Sequence, residues 1–363
     1  MSTLVHICCS VDSHYYLQAI AQQEDKNTLT GFFYNPNIHP RQEYDLRLLD
    51  VQRSCKQLGV PLLEGPYDYP NWYKATKTLQ AEPEKGRRCD VCFESRFEQT
   101  ARKAKELGID KMTTTLLMSP KKSYAQLVHA GRKAARKYGI AFVDYDCTSA
   151  CENGEQNRAA KEAKLYRQDY CGCSYALQQQ RRAQGQIPKE LFSSLDFKNE
   201  PASFSRRQKL YQKRLSLEEK KIAYTLCQNK TLSYHLLSAY VKEQGTLRPA
   251  FFLPYSTTQS PHVKTKVQEV FKGVGYCNKE QIKICPLWLY NKKAGTDFQS
   301  VAKLLRARPD FDTQVAIRRE FVGDFDLSAI VIMDTVPAKK LHLHLDARTQ
   351  IQKTTELVSD ALA

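Results

Sequence analysis

Apolar and polar positions fall into alternating blocks along the first half of the chain. Short apolar runs, Leu4-Val-His-Ile7, Leu29-Thr-Gly-Phe-Phe-Tyr34, Val60-Pro-Leu-Leu63, Lys111-Met-Thr-Thr-Thr-Leu-Leu117 and Ile140-Ala-Phe-Val-Asp144, read as buried strands. Between them lie stretches with apolar residues three and four apart, Tyr44 to Leu58, Cys92 to Leu107 and Tyr124 to Tyr138, which is helical spacing. Strands separated by helices predict right-handed βαβ units, hence an α/β fold: a parallel sheet with helices on both faces. Ligands of such sheets bind beyond the carboxyl ends of the strands, and Cys8, Cys9 and Asn35-Pro36-Asn37 fall at such ends.

The second half has a less regular pattern. Val263 to Phe271 and Phe298 to Leu305 read as helices, Ala329-Ile-Val-Ile-Met333 and Leu341-His-Leu-His-Leu345 as strands, so an α+β extension is expected there. The last strand alternates, placing His342 and His344 on one polar face, where two surface histidines are the simpler reading and a zinc site the sharper one. No internal repeat or low-complexity segment is visible. A length of 363 residues exceeds what one core usually supports. The charged, proline-bearing stretch near 195–205 marks the expected boundary, giving a first domain of 1–200 and a second of 201–363.

Charge sharpens that division. Residues 1–200 hold 29 Lys+Arg against 24 Asp+Glu, whereas residues 201–363 hold 26 against 15, a net +11 of the total +16. A basic excess of this size favours a polyanionic partner, and nucleic acid is the usual one. The N-terminus shows no secretory pattern and no apolar run reaches the length of a membrane span, so a cytoplasmic protein without a membrane partner is expected. Thiols stay reduced in that compartment, and paired cysteines there bind metal or do redox work.

Six of the twelve cysteines stand in three tight pairs: Cys8-Cys9 after the first strand, Cys89-x-x-Cys92 opening a helical stretch, and Cys171-x-Cys173, where Gly172 permits a sharp bend. Cys55, Cys147, Cys151, Cys227, Cys277 and Cys285 lack such pairing and are expected to be small buried apolar residues. A structural zinc site needs four thiolates, and six exceed that. A cluster with four cysteine ligands leaves two for a redox disulfide or a second metal. Asp12, near the start of the next helix, either caps that helix or reaches the metal; a carboxylate beside thiolates suits a mononuclear iron with an open position.

These motifs resemble one known family. His6-Ile-Cys-Cys-Ser10, Gly31-Phe-Phe-Tyr-Asn-Pro-Asn-Ile-His-Pro40, Glu43-Tyr44 with Arg47, Arg88-Cys-Asp-Val-Cys-Phe93 with Arg96, Thr113-Thr-Thr-Leu-Leu-Met-Ser-Pro120 and Tyr166-Arg-Gln-Asp-Tyr-Cys-Gly-Cys-Ser-Tyr175 look like the QueH-type epoxyqueuosine reductases, in matching order over residues 3–180. The resemblance implies a nucleotide α-hydrolase-like (HUP-like) fold and iron dependence. It also implies the last step of queuosine biosynthesis, removal of an epoxide oxygen from a modified guanine at the wobble position of tRNA. It assigns a 4Fe-4S cluster to Cys8, Cys9, Cys89 and Cys92. Cys171 and Cys173 then either ligate a second mononuclear iron with Asp12 or cycle as a redox disulfide. Many members have cysteine where this chain has Asp12, and the two residue types share little except being anionic metal ligands. Tyr34, Asn35, Asn37, His39, Arg88, Arg96 and Tyr170 lie inside the motifs as substrate-binding candidates. Among them Tyr34, His39 and Tyr170 are possible proton donors, and Arg88 and Arg96 could contact the tRNA backbone. Turning an epoxide into an alkene and water takes two electrons and two protons, so an electron donor is implied that the sequence does not identify.

Three rivals have visible signatures. A thiolating or adenylating enzyme on the same fold would show a Ser-Gly-Gly-x-Asp-type loop after the first strand, where this chain has Cys-Cys-Ser-Val-Asp. A cobalamin-dependent reductase would show ferredoxin-like cysteine runs, and none is present. A non-catalytic zinc protein that binds RNA differs in its metal content. For residues 201–363 the expectation is phosphate contacts that hold the tRNA body, with simple stabilisation of the first domain as the alternative.

Overall fold

The computed structural model describes residues 2–119, 121–145, 154–191, 202–307 and 309–359; Cys147, Cys151 and Lys198-Asn-Glu-Pro201 lie outside the described residues. The chain divides into two compact units: Met1–Phe192 with Arg207–Leu226 and Leu357–Ala363, and Ser193–Arg206 with Cys227–Glu356.

The first unit alternates strand and helix: β1 (Thr3–Ile7), α1 (Ser10–Ile20), β2 (Leu29–Phe33), α2 (Arg41–Leu58), β3 (Leu62–Glu64), α3 (Tyr69–Thr76), α4 (Arg87–Glu106), β4 (Lys111–Thr114), α5 (Tyr124–Tyr138), β5 (Ala141–Phe142), α6 (Glu155–Glu162), α7 (Ser174–Ala183) and most of α8 (Phe204–Glu219). Its strands form one sheet in the order β3-β2-β1-β4-β5, every pair parallel. All five residues of β1 are buried, as a central parallel strand covered on both faces requires. Helix α1 packs with α2, and α4 with α5, flanking the sheet. The order runs outward from β1 in both directions, so the carboxyl ends of β1 and β4 frame a crevice at the switch point.

Of the boundaries that differ from the sequence expectation, two have a clear local reason. Strand β4 stops at Thr114 rather than Leu117, because the Thr114 hydroxyl accepts the Leu116 N–H at 3.2 Å and turns Thr115–Met118 into a 3-10 helix. Helix α4 begins at Arg87, five residues before the periodic stretch. Its first turn is polar and carries no apolar rhythm, while Asp90 there complements the helix dipole. Its buried face is one continuous stripe, Cys92, Phe93, Arg96, Phe97, Thr100, Ala101 and Ala104. The packing that anchors this helix therefore also fixes where Cys92 and Arg96 point. Burying a ring such as Phe97 contributes roughly 1.5–3 kcal/mol.

The second unit holds most of β6 (Tyr224–Glu243), then β7 (Thr246–Arg248), β8 (Phe251–Phe252), β9 (His262–Thr265), β10 (Val267–Phe271), β11 (Val274–Cys277), β12 (Lys283–Pro286), α9 (Leu287–Ala294), α10 (Val301–Ala307), α11 (Phe311–Val322), β13 (Ile330–Met333) and most of β14 (Leu341–Ser359). A five-stranded sheet runs β10-β11-β12-β13-β8 and a four-stranded one β7-β6-β14-β9. The helix expected over Val263 to Phe271 is two strands. Val263 and Thr265 are buried between exposed His262, Lys264 and Lys266, a period of two that β-branched residues favour. Among the described residues no helix is long and apolar enough to cross a membrane.

Candidate metal centre

A cavity of about 240 Å³ opens beside the carboxyl end of β1, and its wall includes Cys8, Asp12, Cys89, Cys92, Cys171 and Cys173. Cys9 sits directly behind it, its Sγ 3.5 Å from that of Cys8. The three cysteine pairs, up to 165 residues apart in sequence, thus meet at one place. No disulfide is present among the described residues, where all ten cysteines are free thiols. Cys55, Cys277 and Cys285 are buried elsewhere, and burial pushes the thiols of Cys55 and Cys285 up to about 12. Cys227 is half-buried.

One cysteine of each pair stands at a helix N-terminus. Cys9 is the N-cap of α1, Cys89 lies in the first turn of α4, and Cys173 is the N-cap of α7. Backbone N–H groups reach each sulfur: Asp12 to Cys9, Lys85 to Cys89 at 3.3 Å, and Ala176 to Cys173. Three positive dipole ends directed at thiols favour the thiolate form, but the neighbouring thiol and burial outweigh them at Cys9 and Cys173, and burial at Cys89, so all three thiols are held above the ordinary value. Side chains add to this field, since Arg47, Arg88, Arg96, Lys121 and Lys122 also line the cavity. Burial pulls Lys122 down, but Cys171, Glu84, Cys89 and Cys92 outweigh it and hold its ammonium above the ordinary lysine value.

The segment carrying Cys171 and Cys173 is held by Arg47. This buried guanidinium pairs with Glu43 at 2.8 Å and donates to the carbonyls of Tyr170 at 2.9 Å and Cys171 at 3.3 Å. Gly172 has φ +105°, and a Cβ there would lie 2.9 Å from Ile38 Cγ1 and 3.1 Å from Arg47 Nη1. Both the backbone conformation and the space require glycine. Inside the pair, the Cys173 thiol donates to Cys171; this bond, ahead of burial, holds Cys171 well below an ordinary thiol and Cys173 well above.

Asp12 makes no cap for α1. Its Oδ2 accepts from Cys8 Sγ at 3.4 Å and its Oδ1 from Gln156 Nε2 at 2.7 Å. Burial raises its carboxyl, partly offset by these donors. Ligand atoms of Cys8, Cys9 and Asp12 lie within 4.8 Å of one another, so this trio can hold a metal ion. Beyond it, thiols on three helix ends and a basic surround fit an anionic thiolate-bound iron centre. Cys89 packs against the core that contains Cys8 and Cys9, while Cys171 acts electrostatically on Cys89 and Cys92.

The remaining expected site residues divide. Arg96 is no solvated helix residue: it is buried and donates to Asn35 Oδ1 at 2.5 Å and to His6 Nε2 at 3.3 Å. Asn35 in turn donates to the Ile7 carbonyl at 2.9 Å, tying the ends of β1 and β2 together. Burial first and Arg96 second keep His6 neutral. Arg88 is buried, with Nη1 on the carbonyls of Gln80 and Glu82 at 3.1 and 2.5 Å. Tyr170 lines the cavity, but its hydroxyl donates to the His39 carbonyl at 2.5 Å. Tyr34 stacks on Phe32 and His39 on Tyr69, and neither is part of the cavity wall. Besides Trp72 Nε1, which acts on the Cys92 thiol, three buried polar atoms on residues of that wall have no hydrogen-bond partner: Asn37 Oδ1, Arg88 Nη2 and Gln168 Oε1. Buried groups left unsatisfied in a cavity are what a polar ligand would complete. Sequence reasoning missed Lys122, Gln156 and Gln168. Lys122 had a faint signal in its place just after the Thr113–Pro120 motif; Gln156, 144 positions from Asp12, had none.

The family described as Epoxyqueuosine reductase QueH matches residues 3–179. The Epoxyqueuosine reductase QueH of Helicobacter pylori is 32% identical over 369 residues, covering 98% of this chain and 100% of that protein. Those of Haemophilus influenzae (37% identical; 48% of this chain, 71% of that one) and Thermotoga maritima (32%; 52% and 97%) match about half of this chain.

Proposed function

This chain belongs to the QueH epoxyqueuosine reductase family, and on that footing we propose that it reduces epoxyqueuosine to queuosine at the wobble position of tRNA, in the cytoplasm, as an oxidoreductase of queuosine biosynthesis. The observation that carries this reading is the meeting of three cysteine pairs and Asp12 around one cavity whose wall also holds three unpartnered buried polar groups. The sheet order and the position of the cavity at the switch point support a nucleotide α-hydrolase-like fold.

Cys8, Cys9, Cys89 and Cys92 would hold a 4Fe-4S cluster, and Asp12 with Cys171 and Cys173 a second iron. When bound, such a centre supplies electrons singly, drawn from an external donor, and a Lewis acid for the epoxide oxygen. The chain's own residues do the rest. Asn37, Gln168 and Arg88 offer an acceptor, an acceptor and a donor to a guanine-type base. Arg96 fixes Asn35 and the β1 end, and Arg47 fixes the Cys171 carbonyl. Trp72, whose indole N–H offsets part of the burial that raises Cys92, closes the wall. Lys122 keeps a positive charge beside the thiolates.

A second division of ligands is favoured by one specific observation. Asp12 groups with Cys8 and Cys9, whereas Cys171 acts on Cys89 and Cys92. In this version Cys89, Cys92, Cys171 and Cys173 hold the cluster, and Cys8, Cys9 and Asp12 a mononuclear iron with an open position. Asp12→Ala lowers iron by about one per chain in both versions, so Cys171→Ala separates them. It removes the visible chromophore in the second and leaves it in the first.

The functional reading is tested on anaerobically purified protein by iron and sulfide content, EPR, and turnover of epoxyqueuosine-containing tRNA with a chemical reductant. Iron, sulfide and conversion to queuosine are expected. Protein loaded with zinc alone and inert on that tRNA would sink the reading.

A further inference from the structure

A second concave site lies in the second unit, outside the segment that matches the family. A pocket of about 440 Å³ is lined by Lys242, Lys264, Lys266, Lys279, Lys340 and His342, and no carboxylate contributes to its wall. The five lysines come from separate places: the end of β6, strand β9, the residue after it, the turn after β11, and the residue before β14. Their gathering is invisible as a run in the sequence. The framework beneath is ordered. Gln244-Gly245, both with positive φ, make a two-residue turn joining Glu243 to its partner Thr246, and Gln244 N donates to the Lys340 carbonyl at 3.3 Å. Asn278 Oδ1 accepts from Thr265 Oγ1 at 2.9 Å and from Lys266 N at 3.1 Å. The adjacent carboxylate, Glu243, is occupied by Arg248 at 2.8 Å.

A row of rings continues from this pocket through His342. In the register of β9 and β14, His342 stands opposite Lys264 and His344 opposite His262. Tyr240 stacks on His344 at 4.9 Å and 26°, His262 lies 4.5 Å from His344, and His342 lies 5.5 Å from His262. The two imidazole Nδ1 atoms of His262 and His344 are 3.3 Å apart, which alone would suggest a metal. The charges of Lys264 and Lys242 act on His342 beside that pair, oppose a cation there and attract an anion instead. Here the rings are Tyr240, His342 and His344, half-buried, and His262, exposed; lysines holding a backbone beside flat rings that can stack bases are the recurring design of single-strand and loop RNA binding. A lipid surface or a lone phosphate has no use for the rings.

We infer that this lysine pocket and its ring row bind the ribose-phosphate backbone and unstacked bases of the RNA substrate. The inference rests on the proposed tRNA activity for the identity of that RNA. It adds a binding surface in residues 240–344, beyond the residues 3–179 that the family matches.

The test uses the full chain with its metal, a tRNA transcript with a guanosine wobble base, and affinity measured across a range of NaCl. Lys264→Ala/Lys266→Ala/Lys340→Ala is expected to weaken binding at least about tenfold near 0.1 M salt and to flatten the salt slope by roughly two to three. Tyr240→Ala should weaken binding about fivefold or more with the slope unchanged, since stacking releases no counterions. Unaltered melting and iron content in both variants show that the loss is local. Unchanged tRNA affinity and slope in the triple variant overturn the inference. So does a loss confined to phosphatidylserine vesicles, which would make the patch a lipid contact. The enzymatic reading fails separately: wild type that binds tRNA through these lysines but reduces no epoxyqueuosine keeps the surface and discards the reductase.

Discussion

The Arg214 guanidinium lies 2.7 Å from Asp50 Oδ1, and neither side chain is exposed at all. Asp50 also accepts the Ser10 hydroxyl and, at 2.7 Å, the Tyr166 N–H. One buried carboxylate therefore links the start of α1, the approach to the Cys171 segment and helix α8. Arg53 makes a parallel link, with Glu218 at 2.7 Å and the Ala163 carbonyl at 2.8 Å. Removing one partner of a buried ion pair leaves an uncompensated charge in the core. Arg214→Ala is expected to lower unfolding stability by about 3–5 kcal/mol, measured by urea denaturation. A loss under about 1 kcal/mol would mean that water already screens Asp50. Ending the chain near residue 200 would remove Arg214 and Glu218 together, so a shortened protein should extend past Leu226.

Single alanine variants of Cys8, Cys9, Cys89 and Cys92 are expected to lose cluster absorbance and activity together under the first ligand division proposed above, in which each would supply one of four thiolate bonds. Visible spectra and sulfide content of anaerobic protein decide it. A full-strength chromophore in any one variant removes that cysteine from the ligand set. Loss in Cys89→Ala and Cys92→Ala but not in Cys8→Ala or Cys9→Ala would select the alternative division.

Gly172→Ala tests the bend between the last two thiols. It combines a Cβ contact of 2.9 Å with a backbone φ that side chains rarely adopt. The Cys171 and Cys173 sulfurs should be displaced and Arg47 pushed off the Cys171 carbonyl. The expected result is a stability loss of roughly 1–3 kcal/mol and fewer than six thiols' worth of metal-protected cysteine in anaerobic labelling. Wild-type protection with wild-type activity would show that the segment relaxes freely.

Stability should fall on the acid side of neutrality through His6. Burial, then Arg96, keeps its folded pKa well below the ordinary histidine value of about 6.5. As pH drops through about 6.5 the unfolded chain binds a proton that the folded chain refuses, so stability is lost downward at up to about 1.4 kcal/mol per pH unit, with no contribution above about pH 7.5. His14, also lowered by burial, acts in the same direction. Urea midpoints of apo protein between pH 5 and 7.5 measure the slope, and His6→Gln should reduce it. An identical slope in that variant would assign the acid loss elsewhere.

Much of the first unit was legible because its signals are local. Helix α5 runs over the stretch its apolar rhythm marks, Tyr124–Tyr138, and β1 and β2 lie within a residue of their apolar runs. The cysteine pairs were legible because their spacing is chemistry, not packing. What escaped depends on contacts far apart in sequence. Helix α8 carries Arg214 into the core of the first unit, although nothing in Phe204–Glu219 names Asp50 as its partner. The Val263–Phe271 stretch misled because a short apolar pattern is ambiguous between periods, and pairing of Val263 with Leu343 decided for strand. His262 was overlooked beside His342 and His344 because only the β9–β14 register brings it there.

The spacing of the site's sulfurs has a consequence for synthesis. A ribosome releases Cys8 and Cys9 first, Cys89 and Cys92 some eighty residues later, and Cys171 and Cys173 only near mid-chain. A nascent chain therefore presents two thiols, then four, before the loop that Arg47 pins can close over the site. A centre that needs the last pair cannot be completed until then, and Arg214, which steadies that region through Asp50, emerges later still. Iron delivery should consequently favour the finished chain over the growing one.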